Sequence, residues 1–312
     1  MGKFIGKRLL QLVFVLFAVS FMTFALMYIA PGDPAERKLS AQGEAVDPEV
    51  LEAEREKMGL NQPFAVRYFS WLGGVCTGNL GTSYVDNRPV ITKLAEGMAY
   101  TVPLALSALA VALAISLPLG ILSAVYSNSV LDIIVQIFSF IGNALPNFLI
   151  AVLLIFFFCI QSNVLPVIAN NSFVGLILPT LSLAIPMCGR FIKQFRGEVI
   201  EQLEKVYITG LRVRGVKEKK IIFGNVLHNS SAAIITITGL AIGTLMGGSV
   251  VIENIFRWPG VGKLVMDSIT ARDYPVIQGF VLLMAVIYVL INLATDILYR
   301  VIDPRIDYEK QM

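Results

Sequence analysis

Apolar residues are gathered along this chain into six long runs divided by polar segments: Leu9 to Ala30, Tyr100 to Tyr126, Ile133 to Ile160, Phe173 to Gly189, Ser231 to Ile252 and Val276 to Ile302. Each run is close to or above the roughly 20 residues that carry a helix across a bilayer. The fourth is the weakest, because Pro179 and Pro186 interrupt it and Arg190 closes it. The pattern predicts an all-α integral membrane protein of about six transmembrane helices, with residues 1–312 forming one transmembrane domain.

Two of the intervening polar segments are long enough to carry structure. In residues 31–99, Asp47-Pro48-Glu49 offers an N-cap, a first-turn proline and a first-turn acid, and Met58-Gly59 offers a stop. A second helix is expected from Pro63 toward Trp71, with Phe64, Tyr68 and Trp71 at helical spacing, as an amphipathic cap on the membrane surface. In residues 190–230, Val199, Leu203, Tyr207 and Leu211 fall four apart, which is one face of a helix, and Gly215 supplies a place for that helix to end.

Polar and small residues inside the runs are also patterned. Ser139, Asn143 and Asn147 recur at i, i+4 and i+8 in the third run, beside Gly142 and a Pro146 that should kink it. Such a stripe faces lipid only at high cost. It therefore either hydrogen-bonds to neighbouring helices or lines a translocation path, and both readings predict the same inward orientation. Gly239, Gly243 and Gly247 form a small-residue seam for close helix packing. Asp296, four residues before Arg300, reads as an interfacial pair, and the lone His228 as structural.

Composition agrees with the pattern: 56% of residues are hydrophobic and 15% charged, more apolar side chains than one soluble core could absorb. The net charge of +3 says nothing about partners, but the placement of cations does. Lys and Arg cluster before the first run, in residues 190–230 and after the sixth run, so all three regions, and both termini, are expected in the cytoplasm. Residues 31–99 then form an extracytoplasmic helical insertion, too long for its cations to count against the assignment. The first run exceeds the length of a signal h-region and Pro31, Gly32 and Pro34 follow it, which reads as an uncleaved anchor. Cys76, Cys159 and Cys188 suggest no structural disulfide. No catalytic motif is legible: H-E-x-x-H and G-x-S-x-G are absent, and Gly260-Val261-Gly262-Lys263-Leu264 lacks the earlier glycine and the Ser or Thr of a phosphate-binding loop. The chain is therefore not expected to hydrolyse ATP or to be an enzyme, and no metal site or nucleic-acid partner is indicated.

Several further stretches carry a family resemblance. They are Met58-Gly59-Leu60-Asn61-Gln62-Pro63, Asn79-Leu80-Gly81-Thr82-Ser83 with Arg88-Pro89-Val90, Leu145-Pro146-Asn147-Phe148, Glu253 through Gly262, Arg272 through Gln278, and Asp303-Pro304-Arg305. Together they resemble permeases of binding-protein-dependent ABC importers, in the oligopeptide, dipeptide and nickel branch. The family's cytoplasmic Glu-Ala-Ala signature is degenerate here, with Thr209, Gly210 and Leu211 in its place and only Gly215 kept.

The resemblance implies a type I ABC importer permease fold in the bacterial cytoplasmic membrane. It further implies pairing with a second homologous permease, two ATP-binding subunits that use ATP and Mg, and an extracytoplasmic substrate-binding protein. No cofactor would be bound by this chain itself. On this reading Leu203, Tyr207, Gly210, Leu211, Arg212, Arg214 and Gly215 form the ATPase-docking loop, while Ser139, Asn143 and Asn147 remain candidates for the path. The cargo would be nickel, a nickel chelate or short peptides. A secondary transporter needing no ATPase would require an inverted repeat or a mid-membrane ionisable pathway, and neither is legible.

Overall fold

The computed structural model describes residues 2–42, 47–168 and 172–302, and among these it is helical apart from connecting turns and one isolated bridge between Thr82 and Pro89. The Asp303-Pro304-Arg305 stretch and the Arg300 side chain proposed to pair with Asp296 lie outside what is described. In chain order the helices are α1 (Gly2–Ile29), α2 (Pro34–Gln42), α3 (Pro48–Lys57), α4 (Phe64–Cys76), α5 (Val90–Val125), α6 (Val130–Ala144) and α7 (Asn147–Leu154, continued by a π-helical turn Ile155–Gln161). There follow α8 (Phe173–Leu203), α9 (Val206–Val213), the short α10 (Glu218–Lys220, continued by π-helical Ile221–Val226), α11 (Leu227–Ile255), α12 (Val261–Ala271) and α13 (Tyr274–Ile302). Among the described residues five helices are long and apolar enough to span a membrane, and six if α6 and α7, a pair bent by 102°, are counted as one broken span.

The third run is therefore not one helix. Pro146 has no N–H to give and drives Leu145 out of the helical region, to φ −83 and ψ 129, so α6 stops and α7 starts in a new direction. The fourth run errs the other way: α8 passes through both prolines and through Gly189 to reach Leu203. Inside a bundle the carbonyl groups freed by a proline can be satisfied by neighbours, so a proline need not end a spanning helix, and Pro179 and Pro186 do not end α8.

The residues divide into two compact units. One comprises Met1–Val102 and Pro259–Val289. Here Asp47 caps α3 by accepting the Glu49 N–H, Pro48 opens the helix, and Gly59 at φ +67 follows its last turn. The apolar face of α4 is turned to α1 and is not the free cap expected of it. Tyr68 is fully buried, packed edge-on against Phe21 and Phe24 at 5.5 and 5.4 Å between ring centroids, and its hydroxyl meets Ser20 Oγ at 3.0 Å. Aromatic rings at i, i+4 and i+7 on both helices make this match.

Residues from several of the stretches that carry the resemblance lie in the same unit. The buried Asp273 carboxylate accepts from Ser83 Oγ and from the Tyr84 N–H, and Lys93 Nζ donates to Ser83 Oγ and Asp86. The Val261 N–H donates to Thr101 Oγ1, and Gly97 lets Val261 approach α5. Gly279 lies where a Cβ would strike Val90 Cγ1 at 2.6 Å.

The second unit comprises Pro103–Trp258 and Leu290–Met312. Its helices approach closely at some of its glycines, although Gly247 of the expected seam meets nothing within 4 Å. Gly120 meets Phe195 across α5 and α8, and Gly239 lies against Thr295 across α11 and α13, as the small-residue seam predicts for that glycine. Orientation can be checked with thiols. A membrane-impermeant maleimide, added to cells with a permeabilised outer membrane, is expected to label the exposed Cys76. A cysteine replacing Lys217 should react only after lysis; labelling of that site from outside would reverse the topology.

Candidate functional site

The helix expected from Val199 to Gly215 is broken in two. Lys205 is extended at φ −68 and ψ 143, so Val199 and Leu203 close α8 whereas Tyr207, Gly210 and Leu211 belong to α9. The break shifts the register of the second piece. Ile208, absent from the four-residue pattern, is the fully buried centre of α9, packed with Val199, Ile221, Val226 and Ile121. Leu203, Tyr207 and Leu211 sit half-buried around that cluster, facing this chain's own core. Tyr207 is further fixed by donating to Gln202 Oε1 at 3.2 Å and accepting from Asn229 Nδ2 at 3.0 Å.

With Ile208 inward, the opposite face carries Val206, Thr209, Gly210 and Val213, at the i, i+3, i+4 and i+7 spacing of one helix stripe. Val206 and Val213 are 87% and 83% exposed, so this helix presents two apolar side chains outward on one stripe. Arg212 and Arg214 stand beside the stripe. Arg212 forks onto Glu218 at 2.7 and 3.3 Å, and that carboxylate raises its affinity for its proton above the ordinary arginine value. The helix ends as its glycine suggests. Gly215 adopts φ +74, its N–H bonds to the Arg212 carbonyl, and the Val216 N–H reaches back to Leu211, which is a Schellman closure.

The polar stripe of the third run is also divided. Ser139 is buried and donates to the carbonyl of Gly189 on α8, so it serves packing. Asn143, one turn on, is exposed near the end of α6. Asn147 is half-buried and lies beyond the bend as the first residue of α7. The 102° turn at Leu145 and Pro146 removes the common face, leaving the two asparagines flanking the bend.

One arrangement escaped the sequence pattern. Asp132, 1% exposed at the start of α6, accepts from Arg196 Nε and Nη2, both at 2.8 Å, from Ser123 Oγ, from the Asn128 N–H at 2.9 Å and from Gln136 Nε2 at 3.0 Å. Bidentate pairing with arginine, together with a first-turn position at the positive end of the helix dipole, keeps this buried carboxylate satisfied. Its signal was present in the letters: Ser129 caps α6 by accepting the Asp132 N–H, the serine and acid spacing of a helix start. Among the described residues no group of three or more His, Cys, Asp or Glu side chains is placed to share a metal ion, and His228 is exposed.

Comparison with known proteins finds relatives along the chain. The model of the binding-protein-dependent transport system inner membrane component matches residues 116–308, and the model of the N-terminal part of the binding-protein-dependent transport system membrane component matches residues 1–105. The glutathione transport system permease protein GsiC of Escherichia coli is 35% identical over 309 residues, covering 99% of this chain and 100% of the relative. The probable peptide ABC transporter permease protein y4tP of Sinorhizobium fredii is 34% identical, covering 99% and 100%. The nickel import system permease protein NikB of Staphylococcus aureus is 36% identical over 298 residues, covering 96% and 90%. In fold, the chain is similar to an inward-facing structure of the MetNI methionine ABC transporter, with a TM-score of 0.56 at 16% identity over 68% of this chain and 97% of the other.

Proposed function

The chain belongs to the family of binding-protein-dependent transport system inner membrane components, and on that premise we propose that it is driven by two ATP-binding subunits docked on α9 and paired with a second, homologous permease. It is a multi-pass inner membrane permease subunit of an ABC importer. The observation that carries the docking reading is the stripe of Val206, Thr209, Gly210 and Val213, exposed on a helix whose other face is locked to the chain by Ile208. An apolar stripe of small side chains beside Arg212 and Arg214 suits an apolar groove with a polar rim. The docking residues drawn from the sequence divide accordingly: Gly210 belongs to the contact face, Arg212 and Arg214 to its rim, and Leu203, Tyr207, Leu211 and Gly215 to the support beneath it.

The cycle follows from alternating access. ATP and Mg, bound by the ATP-binding subunits, close them on each other and displace α9. The paired permeases then open outward to an extracytoplasmic binding protein, and hydrolysis resets them. Energetically, each state is favoured only by what its ligands bind differentially. The cargo is nickel, free or chelated, or a short peptide, as the names of the relatives suggest. Uptake of radiolabelled nickel, of a nickel chelate and of di- and oligopeptides in a deletion strain, with and without the restored chain, separates these. Uptake that persists while no ATP-binding subunit co-purifies would overturn the proposal.

A further inference from the structure

The contacts between α6 and α8 point to a lever, and we propose that Asp132 and Arg196 are positioning residues that make these two helices move as one body, delivering the displacement of α9 to the bend at Leu145 and Pro146. This rests on the docking reading of α9 and adds what lies between it and the membrane interior.

The two helices run antiparallel and are fastened at two levels. At the first, the guanidinium of Arg196 forks onto Asp132, and Ser123, Asn128 and Gln136 occupy the remaining positions around that carboxylate. At the second, Ser139 Oγ bonds to the Gly189 carbonyl where the backbones nearly touch: a Cβ on Gly189 would lie 2.6 Å from the Asn143 nitrogen and 2.6 Å from the Ser139 oxygen. Asp132 to Ser139 on α6 and Gly189 to Arg196 on α8 are the same two turns apart, so both fasteners share one register. Sliding by one turn would break both at once and strand a carboxylate that is 1% exposed.

The ends of this body are the two places where movement must enter and leave. At one end α8 finishes at Leu203, only Glu204 and Lys205 before α9, and the cluster of Val199, Ile208, Ile221 and Val226 holds α9 to it. At the other end α6 finishes at Ala144 against the bend, with Asn143 exposed beside it. A rigid pair fixed to α9 carries any rotation there to Asn143, whereas two helices free to slide would absorb it in their interface.

The test uses the assembled transporter in lipid nanodiscs, with Cys76, Cys159 and Cys188 replaced by alanine and Asn143→Cys as a thiol probe. The readout is the change in maleimide labelling rate when ATP and vanadate trap the closed ATPase dimer. Asp132→Asn and, should that variant fold poorly, Arg196→Lys, which keeps the charge but loses the fork, are expected to reduce this change at least about fivefold, the lower end of ordinary coupling. ATP-binding subunits should remain bound and active. A disulfide between cysteines placed at Val135 and Ile192, which lie between the two fasteners, should leave the wild-type response intact and restore it in the variants. Loss of the wild-type response on forming that disulfide would mean that the helices slide, and an unchanged response in both variants would remove the ion pair from the path; either overturns the lever. Failure of the ATP-binding subunits to co-purify with the unmodified chain would instead sink the docking reading, and the lever with it.

Discussion

Val213→Asp is expected to release the ATP-binding subunits while leaving this chain folded in the membrane. Val213 is 83% exposed on α9, so a carboxylate there stays in water when the chain is alone and disturbs none of its packing. In the complex that carboxylate would be carried into an apolar groove without a partner, a loss of at least about 2 kcal/mol for a central contact, or roughly thirtyfold in affinity. Val206→Asp, on the same stripe, should act alike. Ile208→Asp supplies the contrast, since Ile208 is fully buried within the cluster of Val199, Ile221 and Val226 and its replacement should destroy the local fold and the yield. Leu211→Asp should resemble Ile208→Asp more than Val213→Asp, because Leu211 packs against the same cluster. Pull-down of the ATP-binding subunits beside a measurement of membrane-inserted protein reads both outcomes. Full binding by both the Val206 and Val213 variants would move the docking site off α9.

That contrast marks how far letters alone reach. Gly215 was legible as a helix end because a positive φ is a local demand that glycine answers best, and Asp47-Pro48 was legible for the same kind of reason. The face of α4 with Phe64, Tyr68 and Trp71 was legible as a face, but what it meets was not, since α1 and a membrane surface both suit aromatic side chains. Ile208 was missed because one extended residue, Lys205, resets the helical phase, and a four-residue pattern read across the break selects Tyr207 in its place. Apolar runs likewise report composition and not helix ends. The run closing at Gly189 continues as helix for another four turns of mixed polarity, and the run through Pro146 announces a kink but not that it is a 102° bend. Asp132 lay one residue outside the third run and so read as a boundary, although its partner Arg196 is distant in sequence and only the fold joins them.

Gly189→Ala is expected to destabilise the assembled permease strongly, whereas Gly197→Ala, two turns along the same helix, should be tolerated. The two glycines differ only in what stands opposite them. A Cβ at Gly189 would meet backbone on α6 at 2.6 Å twice and at 3.0 Å once, and backbone cannot swing aside as a flexible side chain can. The helices would have to separate, lengthening the Ser139 bond to the Gly189 carbonyl and loosening the contact beside the Asp132 and Arg196 pair. Overpacking of a tight contact costs about 1–3 kcal/mol before such losses are added, so the total is expected at about 3 kcal/mol or more. At Gly197 the added methyl meets nothing within 4 Å, and the exchange gains about 1 kcal/mol of helix propensity. Thermal unfolding of the purified complex, followed by loss of its monodisperse peak, should place Gly189→Ala well below wild type and Gly197→Ala at or slightly above it. Equal stability of the two variants would show that α6 and α8 are not held at the separation on which the lever depends.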